Sequence, residues 1–150
     1  MIVGVVRGAA RALGCAMIFV SWKGALYAED AATSVTVLVD GALPAKGTVV
    51  VALFDSEEAF LKQSIADTTV PLSEDGAATA TFESISPGTY AISVFHDKNG
   101  NGKLNTNFIG IPKEKTGASN NPKQRMGPPL FEASKFKLGT EPLTLSITVR

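Results

Sequence analysis

Apolar and polar residues alternate strictly in two stretches of the chain. Between residues 34 and 39 the side chains of Val35, Val37 and Val39 fall on one face. Near the C-terminus Leu143 and Leu145 begin a second alternation that continues to residue 149. Because successive side chains of a strand point to opposite faces, both stretches are predicted to be β-strands with one buried face.

Four further segments have the composition of strands. Residues 47–54 form a β-branched run long enough for a central strand, and residues 77–82 alternate again. Residues 89–96 place Tyr90, Ile92 and Val94 on one face, whereas Pro71 interrupts residues 68–72, as suits an edge strand. With no long helical pattern, the chain is predicted to be all-β, a single antiparallel Greek-key β-sandwich of about seven strands.

Residues 55–62 predict one short helix after the second strand. Asp55 can cap its first turn, and Glu58 follows at the spacing of a capping box. Phe60 and Leu61 are then expected to pack on the sheet.

The alternation stops between residues 97 and 129, which contain five glycines, four prolines and all six asparagines of the protein. Loops longer than about 15 residues are uncommon in compact domains unless they are functional or disordered. Disorder is one interpretation of this composition. The apolar residues in and directly after this stretch favour the other, an ordered loop packed across one end of the sandwich; they are Phe108, Ile109, Ile111, Met126, Leu130 and Phe131.

The first 28 residues resemble a secretory leader. Arg7 and Arg11 precede an apolar run over residues 13–22, and small residues follow up to Ala28. A retained membrane anchor is the alternative, but this run is short beside the roughly 20 residues that a spanning helix needs. We therefore expect cleavage near Ala28, a sandwich domain over residues 29–150 with no membrane span, and a periplasmic or secreted protein.

Charge and cysteine content exclude some functions for this domain. After the leader the chain has 11 basic and 14 acidic residues, which gives no electrostatic reason to expect a nucleic acid as partner. The single cysteine lies in the leader, so the domain can form neither a disulfide nor a thiolate metal site.

The spacing of polar residues after residue 96 resembles that of an EF-hand calcium loop. Asp97, Asn99, Asn101 and Asn105 occupy positions 1, 3, 5 and 9, and the Lys103 carbonyl lies at position 7. The twelfth position, where calcium needs a bidentate carboxylate, is Phe108 unless Glu114 completes the shell. The alternative is that the two Asn-Gly pairs only form tight turns, with side chains bonded to the loop's own backbone.

Several motifs follow one another in an order that resembles a known family. Residues 82–92 contain a strand, a Pro-Gly turn and a strand, similar to prealbumin-like, immunoglobulin-like and carboxypeptidase-regulatory-like sandwiches. The next motifs are His96-Asp97-Lys98-Asn99-Gly100-Asn101-Gly102-Lys103-Leu104, Gly110-Ile111-Pro112-Lys113-Glu114 and Gly117-Ala118-Ser119-Asn120-Asn121. Over residues 34–149 they resemble the exported bacterial family known as domain of unknown function 2141. The resemblance implies an extracytoplasmic sandwich and carries no catalytic residues.

This chain departs from the family pattern at two positions. It has Asn105 where an aspartate often follows the leucine of the loop, and Ala118 where an aromatic residue often precedes the Ser-Asn pair. Both departures weaken the transfer of a charge-dependent or stacking role.

The leading functional hypothesis is a non-enzymatic binding or structural module of the cell envelope. Its partner would be an envelope protein or a small ligand, bound through the loop of residues 97–129. The expected interaction surface consists of His96, Glu114, Ser119, Asn120 and Asn121. One alternative is a calcium-stabilised ligand-binding domain; another is an envelope hydrolase that pairs His96 with Ser119 or Glu114, although no nucleophile motif is visible.

Overall fold

The structure is a computed structural model that describes residues 32–123 and 127–150. Two β-sheets form this part of the chain. Its strands are β1 (Thr33–Asp40), β2 (Thr48–Phe54), β3 (Ala66–Pro71), β4 (Ala78–Ile85), β5 (Gly88–Asp97), β6 (Thr116–Ala118), β7 (Phe136–Leu138) and β8 (Leu143–Thr148). A four-residue helix, α1 (Phe131–Ser134), precedes β7. The predicted leader, residues 1–28, and Met126 lie outside the described residues.

The two sheets confirm the predicted β-sandwich. One has the strand order β4-β1-β8, and the other has the order β3-β2-β5-β6, with β7 also paired to β5. As predicted from Pro71, β3 is an edge strand. Within the described residues no helix has the length and apolar character needed to cross a membrane.

One pairing departs from the antiparallel pattern that we predicted. β8 runs parallel to β1, with Val35 opposite Leu143 and Val39 opposite Ile147. The connection before β8 explains the direction. β7 runs back along β5 and ends with Leu138 opposite Gly88, at the end of the sandwich where β1 begins. Because only residues 139–142 separate β7 from β8, β8 enters at that same end and follows β1.

The core lies between the sheets and uses the faces that the alternation predicted. Val35, Val37 and Val39 of β1 are at most 2% exposed, and Ile92 and Val94 of β5 are fully buried. The remaining large core side chains include Val49, Val51, Leu53, Tyr90, Phe136, Leu138, Ile147 and Val149. Burial of these β-branched and aromatic side chains is the main force that holds the sheets together.

The helix that we predicted over residues 55–62 is absent, and the segment consists of turns instead. Leu61 adopts a left-handed conformation with φ of 60°, which a continuing right-handed helix cannot contain. Phe60 packs as predicted, edge to face against Phe54 and Phe131 on the outer face of the β2–β5 sheet. Leu61 does not pack in this way and is 41% exposed.

Candidate functional site

The carboxylate of Asp97, the last residue of β5, organises the turn that follows it. Its Oδ1 accepts hydrogen bonds from the backbone N–H groups of Gly100 (2.8 Å) and Asn101 (3.3 Å). Its Oδ2 accepts one from the N–H of Gly102 at 2.6 Å. Gly100 and Gly102 have φ of 70° and 71°, a conformation open to glycine. The two glycines thus let successive N–H groups point at one carboxylate.

These hydrogen bonds outweigh the effect of burial on Asp97, which is only 1% exposed. Burial raises the pKa of the carboxyl, but the backbone N–H groups of Gly102, Gly100, Asn101 and Asn99 together lower it by more, so the pKa lies below its ordinary value. The turn is therefore built around an ionised side chain at neutral pH.

The asparagines of this turn bond mainly to the turn itself. Asn99 Oδ1 accepts a hydrogen bond from the N–H of Asn101 at 3.2 Å, and Asn101 Oδ1 accepts one from the N–H of Lys103 at 2.9 Å. The Asn101 amide also donates to Asn105 Oδ1 at 3.1 Å. This is the arrangement expected of turn-forming asparagines.

Glu114 joins the two ends of the turn from across the loop. Its Oε1 accepts a hydrogen bond from the N–H of Lys98 at 3.1 Å, and its Oε2 accepts one from the N–H of Asn105 at 2.9 Å. The side chain is 8% exposed. Glu114 was expected on an interaction surface, but both of its oxygens face the loop backbone, so it belongs to the scaffold of the loop.

The calcium hypothesis stays a prediction, and these contacts do not favour it. Among residues 32–123 and 127–150, no three His, Cys, Asp or Glu side chains come together as a metal site. The oxygens of Asp97, Asn99 and Asn101 accept hydrogen bonds from the turn. At the twelfth position, Phe108 is 98% exposed and offers no ligand.

His96 is part of the core and does not form an interaction surface. It is fully buried on the face of Ile92 and Val94, as the alternation predicted. Its Nε2 lies 2.6 Å from the carbonyl oxygen of Lys46, in the turn between β1 and β2. Because a carbonyl only accepts, Nε2 carries the proton and the ring ties that turn to β5.

Ser119 and Asn120, both expected on an interaction surface, form hydrogen bonds that fix the segment that follows β6. The Ser119 hydroxyl is fully buried, accepts from the N–H of Ile92 at 2.9 Å and donates to the carbonyl of Ser134. The exposed Asn120 donates from Nδ2 to the carbonyl of Lys135 at 2.8 Å. Ser119 thus joins β5 to α1, and Asn120 bonds to the residue that follows α1.

Asn121 connects this segment to the other sheet. Its amide donates to the carbonyl of Ser146 at 2.9 Å and accepts from the N–H of Thr148 at 2.8 Å. Gly117 lies at the same edge, where a Cβ would come within 2.9 Å of the Ile147 side chain. Asn121 and Gly117 therefore close the sandwich between β6 and β8.

The loop between β5 and β6, residues 98–115, carries an apolar tip whose residues we expected to pack the loop against the sandwich. We define the apolar tip as Phe108, Ile109 and Ile111, which are 98%, 62% and 54% exposed. Leu130 was likewise expected to pack but is 69% exposed, whereas Phe131 is buried as predicted. The tip residues occupy a tight turn between Thr106 and Pro112, which form an isolated bridge, so their side chains do not reach the sandwich.

Asn107 holds the tip in shape. Its Oδ1 accepts hydrogen bonds from the N–H groups of Ile109 (3.0 Å) and Ile111 (2.9 Å), and its own N–H donates to the Ile111 carbonyl at 2.8 Å. The tip is therefore an ordered turn that presents three apolar side chains to solvent. The sequence signal that could have identified it is a short apolar run enclosed by the turn formers Asn107 and Pro112, without an alternating partner strand.

The loop that carries the apolar tip also carries exposed lysines. Lys98, Lys103 and Lys113 of the β5–β6 loop are all exposed, and Lys115 donates to the Gly41 carbonyl at 2.6 Å. The only carboxylate between residues 98 and 115 is that of Glu114, which is buried. The charge that this loop presents to solvent is thus positive.

Comparison with known proteins supports the resemblance predicted from the motifs. A family model described as "Uncharacterized protein conserved in bacteria (DUF2141)" matches residues 37–146. The matched range contains the Asp97 turn, the apolar tip and residues 119–121. Searches of curated proteins and of solved structures gave no match.

Proposed function

The chain belongs to the bacterial family DUF2141, and we propose that it is a non-catalytic binding module of the cell envelope. Binding takes place through the apolar tip of the β5–β6 loop. The observation that carries this proposal is the exposure of Phe108, Ile109 and Ile111 on one ordered turn. Single exposed apolar residues are common on protein surfaces, whereas a cluster of them marks a site of interaction.

The loop is built to hold the tip in place. Asp97 and Glu114 order its base through backbone N–H groups, and Asn107 orders its end. A tip that is ordered before binding loses less conformational entropy when it meets its partner. This rigidity supports a role in recognition.

Two observations argue against a hydrolase that pairs His96 with Ser119. The imidazole of His96 is fully buried, and its Nε2 is bonded to the Lys46 carbonyl. Ser119 bonds to Ile92, four residues from His96 along β5. Four residues of a strand span about 13 Å, well beyond the reach of a hydrogen bond, so Ser119 and His96 cannot act as nucleophile and base.

The placement in the envelope rests on the sequence of the first 28 residues. The basic residues, the apolar run and the small residues before Ala28 are typical of a leader. Expression of the full chain in a bacterial host, followed by cell fractionation and mass spectrometry of the product, tests this placement. We expect an extracytoplasmic product cleaved near Ala28; recovery of the uncleaved chain from the cytoplasm would overturn it.

The binding proposal is tested with isolated bacterial envelopes. We expect the wild-type protein to sediment with them, and the double variant Phe108→Ser/Ile111→Ser to bind at least tenfold more weakly, because the variant lacks the apolar contact area. The matched control is Ile65→Ser, an aliphatic residue 48% exposed at the far end of β2. Equal binding by the double variant, or equal loss in the control, would refute a role for the tip.

A further inference from the structure

We propose that the surface bound by the apolar tip is an anionic lipid membrane. This inference rests on the proposed function and names its binding partner. Three features of the molecule support this inference: the shape of the tip, the lysines of the same loop and the charge of the rest of the domain.

The shape of the tip suits a lipid surface better than a protein partner. Phe108, Ile109 and Ile111 stand on a narrow turn. Three such side chains offer at most about 600 Å² of contact, below the roughly 800 Å² that each partner contributes to a standard protein interface. A bilayer needs no matching pocket, since its headgroups and acyl chains rearrange around inserted side chains.

The lysines flank the apolar tip along the loop. Lys98 and Lys103 precede the tip in the loop, and Lys113 follows it directly after Pro112. All three are exposed, and none forms an ion pair with another described residue. Two contributions anchor peripheral proteins to anionic membranes. Apolar side chains enter the boundary of the acyl chains, and lysines beside them bind the phosphates of the headgroups.

The carboxylate of Glu114 is not exposed beside the positive charges of the lysines. Both oxygens of Glu114 are bonded to backbone N–H groups inside the loop, and the side chain is 8% exposed. An anionic surface that approaches the tip therefore meets lysines without an exposed carboxylate of the same loop.

The charge of the remaining domain orients the loop toward such a surface. Residues 98–115 contain four lysines and one glutamate, whereas the rest of the predicted mature chain contains seven basic and thirteen acidic residues. The exposed Lys46 lies in the β1–β2 turn that contacts His96, at the same end as the loop. Glu74 and Asp75, in the connection between β3 and β4, also lie at this end, but at the edge opposite β6 and β8. Acidic residues 55, 57 and 58 follow β2 at the far end of the sandwich. An anionic membrane thus attracts the loop and repels most of the domain.

Flotation with lipid vesicles tests the inference. Vesicles of phosphatidylglycerol and phosphatidylethanolamine are compared with neutral phosphatidylcholine vesicles, using wild-type and variant proteins with the same N-terminus. We expect binding to the anionic vesicles only, weakened by salt because exposed charges are screened. Phe108→Ser/Ile111→Ser should weaken binding about tenfold or more, and Lys103→Gln and Lys113→Gln about fivefold each. The controls Ile65→Ser and Lys62→Gln, both at the far end of β2, should bind as wild type.

A tryptophan at the tip reports insertion directly. Trp22 is the only tryptophan and lies in the predicted leader, so Phe108→Trp provides a single probe in the cleaved protein. We expect its emission to shift to the blue with anionic vesicles and to be quenched by lipids brominated on their acyl chains. A probe that stays in water while the protein binds would refute insertion.

The two binding assays separate this inference from the proposed function. Tip-dependent binding to envelopes without binding to anionic vesicles would overturn the lipid inference, leave the binding module intact and identify the partner as an envelope protein or glycan. Loss of tip dependence in both assays would overturn both. Equal binding to neutral vesicles would also overturn the inference, because the lysines would then contribute nothing.

Discussion

Replacing Asp97 by asparagine tests whether one charged acceptor holds the turn that follows β5. Its two shortest hydrogen bonds, from the N–H groups of Gly100 and Gly102, measure 2.8 Å and 2.6 Å. A hydrogen bond to a charged group contributes about 1.5–3 kcal/mol. Asparagine keeps one acceptor oxygen, places an NH₂ group against a backbone N–H and removes the charge. We therefore expect the free energy of unfolding of Asp97→Asn to be about 3 kcal/mol lower at pH 7.

The same substitution should change how stability depends on pH. The pKa of Asp97 is lower in the folded state than its ordinary value of 3.8. The ionised side chain therefore contributes its full stabilisation above that value, and the contribution is lost as the pH falls through the lower folded pKa. The difference between wild type and Asp97→Asn should be constant from neutral pH to about pH 5 and should narrow below about pH 4.

Urea denaturation followed by circular dichroism, repeated from pH 7 to pH 3, measures both effects. The matched control is Asp67→Asn on the edge strand β3, where the carboxylate receives a 3.3 Å hydrogen bond from the exposed Ser64 hydroxyl. This control should change stability by less than about 0.5 kcal/mol. If Asp97→Asn is no more destabilising than the control, or its effect does not narrow in acid, the carboxylate does not organise the turn.

Two further predictions concern the edge of the sandwich at Asn121 and the calcium hypothesis. Asn121→Ala should destabilise the domain by about 2–3 kcal/mol in the same assay, because it removes two hydrogen bonds and places alanine at φ of 46°. Asn121→Gly removes the same hydrogen bonds without the backbone strain and should destabilise the domain by about 1 kcal/mol less than the alanine variant. Equal destabilisation by the two variants would show that backbone strain contributes nothing. Millimolar calcium, compared with EDTA and with magnesium, should leave the thermal midpoint of unfolding unchanged, because the turn's own N–H groups already occupy the oxygens that calcium would need. If calcium did bind, a concentration of 100 times its Kd would stabilise the domain by about 2.7 kcal/mol, and such a shift would support the calcium hypothesis.

The strands with a buried face could be predicted from the sequence because their signal is local. Val35, Val37 and Val39 alternate with outward-facing residues, and the structure buries all three. The direction of β8 and the existence of β6 and β7 could not be predicted in this way. Strands of three residues are too short to show a period, and the direction of β8 depends on where β7 ends.

The predicted helix shows how a local signal can be overruled. Asp55 and Glu58 have the spacing of a capping box, and a turn does form there. Phe60, however, packs into an aromatic cluster with Phe54 and Phe131 from distant parts of the chain. The left-handed backbone at Leu61 then ends the turn. Tertiary packing outweighs the small helical preference of an eight-residue segment.

The site was only partly predictable for the same reason. The turn-forming alternative for Asn99 and Asn101 agrees with the structure, because such side chains bond to their own loop. We expected the apolar tip to pack against the sandwich since apolar residues are usually buried. Whether a short apolar run is buried depends on whether another element reaches it, and at Phe108 none of the described elements does.

The polar motif and the apolar tip therefore have separate roles that mutations can distinguish. The family motifs between residues 96 and 121 contain three buried polar residues that bond backbone groups: Asp97, Glu114 and Ser119. If they formed the binding surface, they would be exposed, and their replacement would weaken binding without changing stability. We expect the reverse: variants of these residues should lower the free energy of unfolding first, whereas tip variants such as Phe108→Ser should weaken the proposed binding in a domain that remains as stable as wild type.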